Sequence, residues 1–161
     1  MANESAVWYT GEATGPIPGV NTIAGREDSD PVYDFDHHLH IPTERSTGRL
    51  AGNRVHDPVV LITPYSKSTP ILFKCMCNGE TLSEVIVKWY QIDPEGNEIE
   101  YFRTTLKKVK ITDMQFELPN IQDPKFDNWN HYVKLSFRFE DITYTWIDGN
   151  IEYTDSFTAA R

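Results

Sequence analysis

Apolar and polar residues alternate with a period of two over most of this chain, and that alternation predicts strands. Between Val32 and Ile41, Tyr33, Phe35, His37, Leu39 and Ile41 share one face, while Asp34, Asp36, His38 and His40 share the other. Pro42 ends the run. Ala6–Thr10 is a shorter strand candidate, and Val59–Thr63 (VVLIT) is a continuous apolar run short enough for a buried strand. Glu84–Ile92 and Glu98–Leu106 flank the sequence Asp93-Pro94-Glu95-Gly96-Asn97, whose Pro and Gly suit a tight reversal. Val109–Phe116 then continues the second strand or re-pairs.

From Tyr132 to Ile147 the phase of the alternation changes. Val133, Leu135, Phe137 and Phe139 set one face, and Ile142, Tyr144 and Trp146 continue on the other parity. A slip of this kind at Glu140-Asp141 predicts a bulge or a sharp bend. Asp148-Gly149 predicts a hairpin turn, Ile151–Phe157 a closing strand, and Thr158–Arg161 a tail.

Helical spacing is confined to Ser66–Gly79, with the helix itself expected over about Ser68–Asn78. Ser68 or Thr69 can cap it, Pro70 suits its first turn, and Gly79 suits the left-handed position at its end. Ile71, Leu72, Cys75 and Met76 form one stripe, which a short helix must pack against a sheet. Gly11–Asp30 and Leu118–Asn130 read as surface connections. About eight strands joined by turns too short for parallel crossovers predict a mainly β fold. The expected form is an antiparallel barrel of two packed sheets flanked by one helix, in a single domain spanning residues 1–161.

Charge narrows the range of partners. The 24 acidic residues against 15 basic ones give a net charge of −9, which disfavours nucleic acid and anionic membrane surfaces. No run approaches the length of a transmembrane helix, and Met1–Glu12 lacks the basic and apolar regions of a signal peptide. The protein is expected to be made in the cytoplasm and, if exported, to leave without the general secretory route. Cys75 and Cys77 are two apart, so on a helix their thiols point in different directions and a bond between them is not expected.

Candidate chemistry gathers between Asp34 and His56, where four of the five histidines lie. His38 and His40 share a strand face with Asp34 and Asp36, and two imidazoles with a carboxylate can hold zinc or iron. A small metal-dependent β-barrel enzyme is therefore the alternative reading. A third ligand is needed, and His56 or His131 are the remaining histidines, neither of them in a recognisable motif. No Gly-x-Ser-x-Gly elbow or Cys–His dyad is present, so no catalytic residue, cofactor or metal is assigned. The other unusual feature is length: residues 43–56 form a polar arm carrying Arg45, Arg49 and Arg54 in a chain whose other turns are tight. Arginines in an acidic protein are suited to carboxylates of another subunit.

Several separated motifs agree on a family. FDHHLHIPTERSTGRLAGNRVH at residues 35–56, KSTP at Lys67–Pro70, VKWY at Val87–Tyr90 and EYF at Glu100–Phe102 belong together with Asn130-His131 and ITYTWIDGNIEYTDSF at residues 142–157. In this order they resemble the haemolysin-coregulated protein family (Hcp), the tube proteins of bacterial type VI secretion. The resemblance runs from about Val7 to Phe157.

The resemblance implies a compact β-barrel with one main helix, and hexameric rings that stack into a tube inside a contractile sheath, capped by a spike. It implies partners among other copies of the chain, the sheath, spike and baseplate proteins, and small effectors received in the pore. It implies residence in the cytoplasm before firing and expulsion with cargo. It places an extended inter-subunit loop at residues 43–56, which carries an assembly role onto Thr43, Glu44, Arg45, Thr47, Arg49, Leu50, Asn53, Arg54 and His56. Because the last strand lies so near Arg161, the toxin domain that some members bear is not expected here.

Overall fold

A computed structural model describes residues 3–157. The expected Thr158–Arg161 tail lies outside the described residues. The strands are β1 (Ser5–Gly11), β2 (Gly15–Ile17), β3 (Asp30–Pro31), β4 (Asp34–Asp36), β5 (Leu39–His40), β6 (Val55–His56) and β7 (Val59–Pro64). After the helix α1 (Ser68–Asn78) come β8 (Leu82–Ile92), β9 (Glu98–Glu117), β10 (Tyr132–Arg138), β11 (Asp141–Trp146) and β12 (Ile151–Ser156). All pairings are antiparallel, and the mostly-β fold with one helix is as the alternation predicts.

β9 organises the architecture. Its first half carries β8 on one edge and β11 on the other, and its second half carries β10. The expected strands Glu98–Leu106 and Val109–Phe116 are therefore one 20-residue strand that belongs to both sheets. The chain bends at Lys108, whose φ is +52°. The expected slip at Glu140-Asp141 faces that bend: Arg138 pairs with Lys110, Asp141 pairs with Lys107, and the Glu140 N–H donates to the Lys107 carbonyl at 3.1 Å. Two neighbouring strands thus turn the same corner together. The first sheet ends in β12, and the second runs through β10 to β7 and β4. β3 pairs with β1 and β4 with β7, so one short segment bridges the open ends of the two sheets.

The core lies between the sheets. Val7, Val85, Val87 and Leu106 of the first sheet meet Leu61, Val133, Leu135 and Phe137 of the second, with Leu72 and Cys75 of α1 sealing one side. The predicted stripe of α1 is the packed one, with Ile71 and Met76 at its margins. Gly79 closes the helix at φ +69°, its N–H reaching the Cys75 and Met76 carbonyls. The cap differs from expectation. Lys67 occupies the cap position without a side-chain bond, and Ser66 does the work instead. The Ser66 N–H donates to Thr69 Oγ1 at 3.0 Å, and Ser66 Oγ accepts the Ser68 N–H at 3.0 Å.

Two further expectations are corrected. Val32–Ile41 is not one strand: it pairs with β7 as far as Asp36, then leaves the barrel and pairs with β6 from Leu39. Its predicted apolar face is consequently split, with Phe35 packed edge-on against Trp89 at 4.9 Å while Tyr33 and Leu39 are exposed. Gly11–Asp30 is more than a surface connection, because it buries Arg26, Ser29 and Asp30. Arg26 lies 4.0 Å over the Tyr90 ring and pairs with Glu4 and Glu98, so its charge is compensated where it is buried.

Candidate functional site

Residues 37–57 leave the barrel as a hairpin and return. β5 and β6 form its root, where Leu39 pairs with His56 and His40 with Val55. Further out, Thr43 bridges Leu50, the Glu44 N–H donates to the Arg49 carbonyl at 2.8 Å, and the Gly48 N–H donates to the Glu44 carbonyl at 2.8 Å. Thr47 Oγ1 donates to the Glu44 carboxylate at 2.6 Å, which ties the tip to itself. The arm is therefore a folded element that satisfies its own backbone, as an irregular exposed segment must.

The residues singled out in the sequence separate into two groups. Thr43, Glu44, Arg45, Thr47, Arg49, Leu50 and Asn53 are exposed along the arm. Among the described residues Arg45 and Arg49 make no salt bridge, and Leu50 is 57% exposed. Arg54 and His56 instead turn back to the chain's own barrel, where both reach Asp155 of β12. Their partner lies about a hundred residues downstream, beyond the reach of any local sequence pattern.

Asp155 ends a half-buried polar chain in which His56 is the buried member. His56 Nε2 lies 2.7 Å from its carboxylate, His56 Nδ1 lies 3.2 Å from His37 Nε2, and His37 Nδ1 lies 2.6 Å from the Tyr144 hydroxyl. With both rings neutral, one proton arrangement satisfies every atom: Tyr144 donates to His37, His37 to His56, and His56 to Asp155. Burial and the neighbouring His56 lower the pKa of His37, which favours that neutral state. The Arg54 hydrogen bond holds Asp155 down at about 2, so it remains an acceptor. Burial pushes the Tyr144 phenol up to about 12, keeping it a donor and making it a poor nucleophile. The two imidazoles stack 5.4 Å apart, and Phe139 meets both edge-on. The arrangement clamps the returning arm to the barrel.

His38 and His40 point the other way, into solvent. Neither the Asp34 nor the Asp36 carboxylate lies in their cluster; the carboxylate beside them is Asp57, 2.9 Å from His38 Nδ1. The hydrogen bond from His38 lowers the Asp57 pKa. His56 and His131, the ligands considered from sequence, are engaged elsewhere: His56 faces Asp155, and His131 lies against Tyr65 with ring centroids 5.8 Å apart.

Exposed apolar side chains lie elsewhere on the body as well. β12 presents Ile151 and Tyr153, 69% and 77% exposed, and the 118–130 loop presents Leu118 and Ile121. Trp129 and Trp146 are each close to half exposed. No helix among the described residues is long and apolar enough to cross a membrane.

Comparison with known proteins agrees with these features. The family described as "Type VI secretion system effector, Hcp" matches residues 8–146. The "Major exported protein" of Pseudomonas aeruginosa is 33% identical over 121 residues, covering 75% of this chain and 70% of that protein. The solved structure of a mutant Hcp1 from E. coli EAEC 042 superposes with a TM-score of 0.86 at 33% identity, covering 97% of this chain and 99% of that one. Secreted protein Hcp3 from Pseudomonas aeruginosa shares the fold, with a TM-score of 0.79 at 24% identity over 98% of this chain and 100% of that one. With its β9-centred sheets, its single helix and its projecting arm, the chain belongs to the Hcp family of type VI secretion tube proteins.

Proposed function

We propose that six copies of this chain close into a ring, that rings stack into the inner tube of type VI secretion, and that the arm at residues 43–56 is each subunit's grip on its neighbours. The observation that carries this reading is the state of the arm. It is folded, it stands off the barrel, and it presents Arg45, Arg49 and Leu50 to solvent without ion-pair partners among the described residues. Identical subunits of net charge −9 repel one another. Arginines carried on an arm to a neighbour's carboxylates offset that repulsion and set orientation through bidentate bonding. Arg54 and His56 serve the same assembly indirectly, by fixing the angle at which the arm leaves the barrel.

In this reading the tube works inside a contractile sheath with spike and baseplate proteins. Small effectors are received in the ring, and the whole is expelled from the cytoplasm into the target. The role is structural and involves no catalytic step. The chain acts as one tube domain with 43–56 as its extension.

The test is sedimentation, with electron microscopy of the same sample. The native sequence is expected to sediment as six chains and to appear as hollow rings. Reversing both charges, Arg45→Glu with Arg49→Glu, is expected to shift the population to single chains with an unchanged circular dichroism spectrum. Unchanged particle size in the double variant would remove the arm from the assembly.

A further inference from the structure

The root of the arm holds a second cluster of side chains, distinct from the half-buried clamp. We propose that His38, His40 and Asp57 form a binding site for a borderline divalent transition metal of the zinc class. One ligand atom from each of the three lies within 4.8 Å of the others. The His38 and His40 rings stack 5.2 Å apart with planes inclined by 20°.

Backbone register brings these groups together. His38 and His40 are two apart in an extended segment and so project to one side. The β5–β6 pairing sets the return strand opposite them, and the Asp57 N–H donates to the His38 carbonyl at 3.0 Å. Asp57 is thus delivered beside His38 by the ladder itself. Two imidazoles and a carboxylate suit zinc, copper(II) or nickel, whereas magnesium and calcium take oxygen donors. With the His38 side chain 64% exposed and that of Asp57 47%, water has access to the remaining coordination positions. The ion takes the Nδ1 lone pair of the neutral His38 ring, whose single proton then sits on Nε2, so the Nδ1 proton shared with Asp57 is relocated through solvent and not lost. Arg138 is an opposing cation that acts on Asp57 from β10, but its guanidinium is held 5.5 Å over the Phe157 ring.

The consequence lies in the arm. His38 and His40 precede it and Asp57 follows it, so a bound ion ties both ends of the loop and disfavours its opening. His37 and His56 belong to the half-buried clamp and take no part in the site.

The experiment uses the full chain without an affinity tag, stripped with chelator and titrated with zinc chloride by calorimetry. Proteolysis of the arm is followed in parallel. One zinc per chain and slower cleavage within residues 43–56 are expected, and magnesium chloride is expected to give neither. His40→Ala is expected to weaken zinc by about tenfold or more. His38→Ala with His40→Ala is expected to abolish binding, and His131→Ala to leave it unchanged. Should an alanine variant lose its fold by circular dichroism, Asp57→Asn provides the same comparison. Absence of stoichiometric zinc, or zinc retained by the double variant, would overturn the site. Stoichiometry is read per chain, so the outcome does not depend on whether rings form.

Discussion

Phe137 and Leu50 mark two ways in which this chain holds its backbone in place. Phe137 is 0% exposed where the two sheets meet, and its strand is paired on both sides, by β7 and by β9. Leu50 is 57% exposed and bridges Thr43 across a narrow hairpin. The barrel is fixed by apolar contact spread over many residues, so its strands are stable together or not at all. The arm is fixed by a few polar bonds at its root, which join Arg54, His56 and His37 to Asp155 and Tyr144. A part joined to the rest by few bonds can open while the rest stays folded. For a subunit that must enter a ring, this leaves a stable wall carrying an adjustable hand.

The difference is broken most severely from the barrel side. Phe137→Ala leaves a cavity between the sheets and is expected to cost about 3–5 kcal/mol of global stability, read as a lower urea midpoint. Local opening of residues 43–56, read by amide exchange, should keep its rate, because it does not expose the Phe137 site. A loss of arm protection equal to that of the barrel would show that the two unfold together.

An intermediate effect is expected at the clamp. Asp155→Asn keeps the shape of the side chain but removes the charge that Arg54 and His56 both approach. The expected cost is about 1–2 kcal/mol, appearing as faster amide exchange in residues 43–56 with little change in β8 to β10. The pH dependence has a definite sign. Asp155 is held at about 2 in the folded chain, against about 3.9 for an unperturbed aspartate. Its stabilisation is complete above the unperturbed value and is lost as pH falls toward 2. Arm protection, taken relative to the intrinsic exchange rate at each pH, should fall across that acid window in the native chain and hold level in Asp155→Asn. An equal fall in both would assign the acid sensitivity to another group.

The barrel was largely legible from the chain's own pattern, because burial imposes a period that local sequence must carry. The slip at Glu140-Asp141 marked the corner, and Ile71, Leu72, Cys75 and Met76 marked the packed face of α1. The arm was legible as a long polar interruption, but its clamp was not. Asp155 sits in a strand whose other residues are mostly exposed, about a hundred positions from Arg54, and nothing nearby signals that it is half of a pair. The break inside Val32–Ile41 was hidden for a related reason. The alternation stays in phase while the pairing partner changes from β7 to β6, and periodicity reports faces, not partners. Asp57 escaped notice as the neighbour of His38 and His40 because the contact arises from register across a hairpin.

The smallest effects give the most controlled comparison, because the two regions contain the same backbone feature. Gly48 at the tip of the arm and Gly79 at the end of α1 both have φ +69°, and an added Cβ would meet no atom within 4 Å at either site. Alanine therefore adds no clash in either place, only the strain of a left-handed conformation, about 1 kcal/mol. Gly79 terminates a helix whose Leu72 and Cys75 are part of the core, so Gly79→Ala should lower global stability by that amount. The strain in Gly48→Ala should be released whenever the arm opens, without unfolding the barrel. It should raise exchange at residues 43–50 and leave the global urea midpoint in place. Equal shifts in the global midpoint for the two variants would mean that arm and barrel unfold as one unit, and the separation drawn between Leu50 and Phe137 would fail.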